Sequence, residues 1–173
     1  MSDYEIWRDK LVLAVDDEED VLQTIQDELA DCPGATLRTA LTFERAREEL
    51  VSYSYDLVIL DIMGVRGFDL LKIAANRNFP VVMLTAHALN PDALKKSIEL
   101  GARAYLPKDQ LSSLVPFLED VLKLSYQSVW KKALDQVGTL FNEGFGSEWR
   151  KSEQHFWEDF EKKLSMDEAA IIK

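Results

Sequence analysis

Apolar residues along the chain fall into short runs and helical stripes that alternate. Runs of strand length occupy Lys10–Val15, Ala35–Thr39, Asp56–Leu60, Pro80–Leu84 and Arg103–Leu106, and three of them are rich in Val, Ile or Leu. Helical spacing fills the intervals at Glu18–Ala30, Thr42–Ser52, Phe68–Asn76 and Pro91–Leu100, with a fifth helix at Asp109–Leu124. In the first of these, Val21, Leu22, Ile25 and Leu29 mark one face. Thr42 is placed to cap the second helix, Asn90-Pro91 to start the fourth and Gly101 to end it. Arg45 stands where a reciprocal capping box needs Glu or Gln, so Thr42 caps alone. Repeated strand-then-helix units predict a parallel sheet with helices on both faces, because right-handed crossovers place them there.

After Leu124 the alternation stops. Trp130, Leu134, Val137 and Phe141 make one stripe, and Trp149, Phe156, Phe160 and Leu164 make a second after Gly144-Phe145-Gly146, with Ser147 placed as a cap. Two amphipathic helices about a glycine turn predict an αα-hairpin. Eight of the chain's 17 aromatic residues lie in this stretch, too many for a solvated appendage. The hairpin must pack on the rest of the chain, on a second copy or on a partner.

Composition narrows the functional classes. At 173 residues, 47% hydrophobic and 29% charged, the chain reads as a globular protein with one full domain, 8–124, and a helical extension, 125–173. The net charge is −11, and the acidic excess is 9 up to Leu124 and 2 beyond it, which disfavours nucleic acid as a partner. Cys32 stands alone, so no internal disulfide forms, and a buried thiol in a reducing compartment is expected. No apolar run has the length of a membrane span, and a cytoplasmic location is expected.

The apolar runs end in chemistry. Asp16 and Asp17 follow the first, Asp61 the third, Thr85 the fourth, and Lys108 the fifth through Tyr105-Leu106-Pro107-Lys108. Open α/β sheets build their sites at the C-terminal ends of their strands. With strand order 2-1-3-4-5, a flavodoxin-like arrangement, these ends are neighbours, and one pocket holds three carboxylates, a hydroxyl and an ammonium. Crowded carboxylates repel, and an all-oxygen set suits a hard divalent ion such as Mg²⁺.

This set closely resembles the receiver domain of two-component response regulators, over residues 10 to about 124. Leu84-Thr85-Ala86-His87-Ala88 and Gly101-Ala102-Arg103-Ala104-Tyr105-Leu106-Pro107-Lys108 are similar to the family's Thr-Ala strand end and its later Gly-Ala and Pro-Lys. The resemblance implies that Asp61 accepts a phosphoryl group. It implies Mg²⁺ held by Asp17, Asp61 and the Met63 carbonyl, with Asp16 on a metal-bound water, and Lys108 neutralising phosphoryl oxygens. Thr85 would bond the phosphoryl group, and Tyr105 would either turn inward as a switch or serve as a half-buried packing residue.

The implied readout face comprises the Pro91–Leu100 helix, the Arg103–Leu106 strand and the helix from Asp109, with Lys95, Lys96, Arg103 and Leu111 as candidate contacts. Implied partners are a sensor histidine kinase or phosphotransfer protein, a downstream protein of unknown identity, and a second copy through the receiver face or the C-terminal helices. Met63 and His87, two positions beyond Asp61 and Thr85, are placed to gate the attacking water. The chain departs from the family in one place. Receivers usually carry Pro four residues and Gly eight residues after the acceptor Asp, whereas Val65 holds the first place here and Gly67 comes after six, so the loop is two residues short.

Two other classes compete. A DNA-binding output regulator would need a basic recognition helix, yet the helix from Ser147 mixes Arg150, Lys151, Lys162 and Lys163 with Glu148, Glu153, Glu158, Asp159 and Glu161. A stand-alone aspartyl-phosphate phosphatase of the haloacid dehalogenase type would place an Asp where Met63 stands. The expected chemistry is self-phosphorylation and self-hydrolysis rather than turnover of a separate substrate.

Overall fold

A computed structural model of the protein describes residues 4–86, 91–124, 126–131, 134–135 and 149–165. Strands β1 (Leu11–Val15), β2 (Thr36–Ala40), β3 (Leu57–Asp61), β4 (Val81–Thr85) and β5 (Ala104–Pro107) form one parallel sheet in the order β2-β1-β3-β4-β5. This is the flavodoxin-like order expected. Each strand starts one residue later than its apolar run predicts and all but β1 also end one later, because the ladder rather than apolarity sets their ends. Asp61 still pairs with Leu84, and Thr85 with Pro107. Pro107 is tolerated since β5 is an edge strand.

Alternation along the strands builds two cores. Leu13, Val15, Val58, Leu60, Val81, Met83 and Tyr105 meet helices α3 (Phe43–Ser52), α4 (Gly67–Asn76) and α5 (Pro91–Glu99) on one face. Val12, Ala14, Leu57, Ile59, Val82, Leu84, Ala104 and Leu106 meet α2 (Glu19–Leu29) and α6 (Leu114–Lys123) on the other, where Cys32 is buried as expected. The Thr42 cap forms, its hydroxyl accepting from the Arg45 amide at 3.2 Å. Two elements differ from expectation. The predicted Asp109–Leu124 helix is a 3₁₀ turn, Lys108–Ser113, followed by α6. Restarting at Leu114 puts Pro116 in a first turn, where its missing N–H costs no helical hydrogen bond. A short helix α1 (Tyr4–Trp7), too brief to show periodicity, anchors the N-terminal end, with Trp7 Nε1 donating to Glu119 at 2.9 Å in the second core.

The C-terminal aromatic residues answer the question left by the hairpin. Helix α7, helical at 126–131 and again at 134–135, lies along the β5 edge and shares both cores: Val129 belongs to the α2–α6 side and Trp130 to the α3–α5 side. A 3₁₀ turn, Trp149–Glu153, leads into α8 (Gln154–Ser165), whose Trp157, Phe160 and Leu164 join the α3–α5 core. Val137, Phe141, the Gly144–Gly146 turn, the Ser147 cap and Asn90 lie outside the described residues. His155 is exposed. Among the described residues, no helix is long and apolar enough to cross a membrane.

One buried carboxylate ties β2 to α3. Glu49, 3% exposed, accepts from Arg38 Nε and Nη2 at 2.7 and 2.8 Å and from the Tyr55 hydroxyl at 2.5 Å, and Arg45 lies 3.0 Å away. The Arg38 bond outweighs burial and holds the Glu49 carboxyl down at about 2, below its usual 4.5. A depressed carboxyl contributes stability that is complete above pH 4.5 and disappears as pH falls toward 2. Glu49→Gln should therefore lower stability at pH 7 by about 1.5–3 kcal/mol and flatten this acid limb. Urea unfolding across that range checks both, and an acid limb unchanged by the mutation would contradict the assignment.

Candidate functional site

Four strand ends bring their polar residues to one edge of the sheet. Asp16 directly follows β1 and is fully buried, Asp61 ends β3 at 4% exposed, and Thr85 ends β4 at 6% exposed. Asp17 projects into solvent beside them, and one carboxylate oxygen from each of Asp16, Asp17 and Asp61 falls within a 4.8 Å cluster. Lys108 opens the 3₁₀ turn after β5 and spans the group, with its Nζ 2.9 Å from Asp16 Oδ2, 3.1 Å from Asp61 Oδ1 and 3.3 Å from Glu18 Oε2.

Local geometry explains these positions. Asp16 Oδ1 accepts from the Glu18 amide at 2.9 Å, turning the chain from β1 toward α2. Glu18, not Asp17, is the N-cap residue of α2 and makes no side-chain cap bond, so Asp17 remains available to the cluster. The loop after β3 is tight. Gly64 has φ +84, and a Cβ there would sit 2.5 Å from Asp17 Oδ2; at Gly67 it would sit 2.0 Å from the Asp61 carbonyl oxygen. Arg66 between them takes the left-handed conformation, φ 54, rare for a side chain of its size. Its guanidinium stacks 4.1 Å over the Phe43 ring and bonds Asp69 at 3.0 Å. Val65, at the place where the resemblance expects Pro, is buried and fastens the short loop to the core.

Electrostatics follow from crowding. Burial and then the Asp16 charge push the Asp61 carboxyl up to about 6, although Lys108 pulls it down. Burial also raises Asp16. Burial alone would lower Lys108, but bonds to Asp16 and Asp61 prevail and raise it, so it stays an ammonium. Asp16 Oδ2 is buried without a hydrogen bond and meets Lys108 as an ion pair. Three carboxylates against one ammonium leave the pocket net negative. A net-negative cluster of hard oxygen donors, beside a loop in which Gly64 leaves room for the Asp17 carboxylate, fits a divalent cation.

The structure thus brings together Asp16, Asp17, Asp61, Thr85 and Lys108. The Thr85 hydroxyl makes a long 3.4 Å bond to the Ala86 carbonyl, one a stronger acceptor could displace. The Met63 side chain is 74% exposed. Tyr105 is 1% exposed rather than half-buried, its hydroxyl without a hydrogen-bond partner, because the C-terminal helices cover its strand. His87 lies outside the described residues. Of the candidate readout contacts, Lys95 bonds Glu153 at 3.0 Å, Lys96 stacks on Phe68 and Leu111 is buried; Arg103 is half-buried. Glu18, which extends the acidic run of Asp16 and Asp17, and Gly64 also belong to the site, and the close approach of Gly64 depends on a loop path that composition does not show.

Comparison with known proteins agrees with this arrangement. The family described as "Response regulator receiver domain" matches residues 12–117. The two-component response regulator ARR18 of Arabidopsis thaliana is 37% identical over 102 residues, which is 56% of this chain and 16% of that protein. The transcriptional regulatory protein DltR of Streptococcus agalactiae is 34% identical over 101 residues, 56% of this chain and 44% of that protein. Both relatives are more than twice as long as the part matched. The receiver domain of NtrX from Brucella abortus superposes with a TM-score of 0.58 at 30% identity, covering 66% of this chain and 99% of that domain.

At pH 7 without divalent ions, Asp61 is ionised in a place that disfavours the charge. A carboxyl raised by folding weakens the fold above pH 6 and leaves no penalty well below pH 4. Asp61→Asn should therefore stabilise the metal-free protein by about 1–3 kcal/mol at pH 7 and by little at pH 4. Denaturant unfolding at the two pH values decides it, and a destabilised variant at pH 7 would refute the picture of repelling carboxylates.

Proposed function

The chain belongs to the response regulator receiver family of two-component signalling, and from that membership we propose that it accepts a phosphoryl group on Asp61 and switches a protein surface in response. The observation that carries this reading is the meeting of Asp61 Oδ1 and Asp16 Oδ2 on one Lys108 ammonium, at 3.1 and 2.9 Å, beside the Thr85 hydroxyl. The receiver is proposed to span residues 8–124, with 125–173 as a helical extension.

In the proposed reaction, a carboxylate oxygen of Asp61 attacks phosphorus in line. The donor's phosphorus–nitrogen bond breaks, and its electron pair returns to the imidazole of a histidine kinase or phosphotransfer protein. Asp61 is ionised for this step, since pH 7 exceeds its pKa of about 6. Lys108 neutralises charge on the phosphoryl oxygens. Asp17, Asp61 and the Met63 carbonyl would hold Mg²⁺, with Asp16 orienting a bound water, and the bound ion would screen phosphoryl charge. Thr85 would exchange its long bond to Ala86 for one to a phosphoryl oxygen, moving toward Asp61. Water later hydrolyses the acyl phosphate. The DNA-binding alternative gains no support from the C-terminal end, where Arg150 of the 3₁₀ turn pairs with Glu161 of α8. An exposed Met63 supplies no general acid for a stand-alone phosphatase.

Incubation with a small phosphodonor and Mg²⁺ should add one phosphoryl mass to the wild type and none to Asp61→Asn in intact mass measurement. Equal gain by both, or gain by neither, would defeat the assignment. Gly64→Ala offers a second check, because its Cβ would meet Asp17 Oδ2 at 2.5 Å. Mg²⁺ affinity measured by calorimetry should fall by about tenfold or more, and an unchanged affinity would show that Asp17 is not a ligand.

A further inference from the structure

The C-terminal helices sit on the strand and helix that flank the site. Trp130, fully buried, donates its indole N–H to the Ala102 carbonyl at 3.3 Å, two residues before β5. Lys95 on α5 bonds Glu153 at 3.0 Å and lies 5.3 Å from the Phe156 ring centroid. Trp130, Trp157 and Phe160 share one apolar cluster with Leu94, Ile98, Ala102 and Tyr105. Trp130 and Phe160 pack edge to face, their ring centroids 5.7 Å apart. These contacts join the first and last parts of the extension to each other and to α5 and β5.

Tyr105 connects this cover to the site. Its neighbour across the ladder is Met83, two residues before Thr85, and its buried hydroxyl has no hydrogen-bond partner. A buried phenol left unpaired costs roughly 1–3 kcal/mol. The ring is nonetheless 1% exposed, on the same sheet face as Trp130. An outward turn of Tyr105 would have to displace the extension, so a docked extension and an inward Tyr105 stabilise each other.

We propose that residues 126–131 and 149–165 form a built-in clamp on α5 and β5 that holds Tyr105 inward, so that docking of the clamp and phosphorylation of Asp61 reinforce one another. The proposal rests on the functional reading above, in which Thr85 moves toward the phosphoryl group. Space that Thr85 vacates is space an inward Tyr105 fills. Linkage then requires phosphorylation to tighten the clamp and the clamp to favour the phosphorylated state by the same factor. The face opposite β4 is thereby engaged in cis, and the signal is carried by how firmly the chain's own helices are seated.

Hydrogen exchange of the full chain, followed at 126–131 and 154–165 with Mg²⁺ and with or without beryllofluoride as phosphoryl mimic, tests this. Beryllofluoride should slow exchange in both segments by about threefold or more. Lys95→Glu sets like charges against Glu153 and Glu99, and should speed exchange at 154–165 and weaken beryllofluoride binding by comparable factors, about threefold to tenfold. Glu153→Lys should do the same, and the double swap should restore both. Beryllofluoride binding with unchanged exchange in the extension, or faster exchange there, would overturn the clamp and leave the phosphoacceptor reading intact. If neither beryllofluoride nor a phosphodonor loads Asp61, the reading fails and the coupling fails with it. Single variants that leave exchange at 154–165 unmoved would also overturn the clamp.

Discussion

Three carboxylates within reach of one ion, two of them buried, place like charges where water cannot screen them, and the sheet edge is organised around that repulsion. Lys108 offsets part of it by meeting Asp16 and Asp61 together. The remainder shows in the raised Asp61 carboxyl. A pocket that is net negative while empty of ions is unfavourable to the fold and favourable to anything that brings positive charge, as functional sites often are. The surrounding structure must hold the strands firmly enough to keep the charges together. It does so with strands buried on both faces and a separate charged strut, Glu49 with Arg38, Arg45 and Tyr55, on the β2 side.

The same rigidity makes small displacements at the site legible elsewhere. β4 and β5 run side by side from the core to Thr85 and Pro107, and the extension lies against β5. Edge strands expose unpaired backbone groups that other chains can bind. Here Val129 and Trp130 each join one of the two cores, and Trp130 donates to the Ala102 carbonyl just before β5, so the extension packs beside that strand. Such a cover gives a receiver-family chain an internal element on which a change at Asp61 can act.

Much of this could be read from the sequence because the fold repeats a simple rule. Strand runs such as Leu57–Leu60, buried on both faces, are nearly all apolar, and a carboxylate at the end of one stands out. Order along the chain then located Asp16, Asp17, Asp61, Thr85 and Lys108 together. The residues that escaped are those whose role depends on path rather than type. Gly64 and Arg66 acquire meaning from a loop two residues short that must still pass Asp17, which drives both to positive φ. The aromatic stripes beginning at Trp130 and Trp149 imply that something has to be covered, whereas Trp157, off the second stripe, is buried with them. Whether it lay on this chain or another followed only from Lys95 meeting Glu153 and Trp130 meeting Ala102. Tyr105 is buried more deeply than a half-buried packing residue, because the strand pattern alone ignores the helices laid over it.

The central claim is that the carboxylate cluster is a cation site completed by the β3–α4 loop. A backbone amide NMR titration of the full chain with Mg²⁺ tests it most directly. The account predicts saturable binding with the largest shifts at residues 16–18 and 61–64, and loss of that response in Asp17→Asn. Shifts that never saturate, or that spread evenly over the acidic surface and persist in the variant, would contradict it.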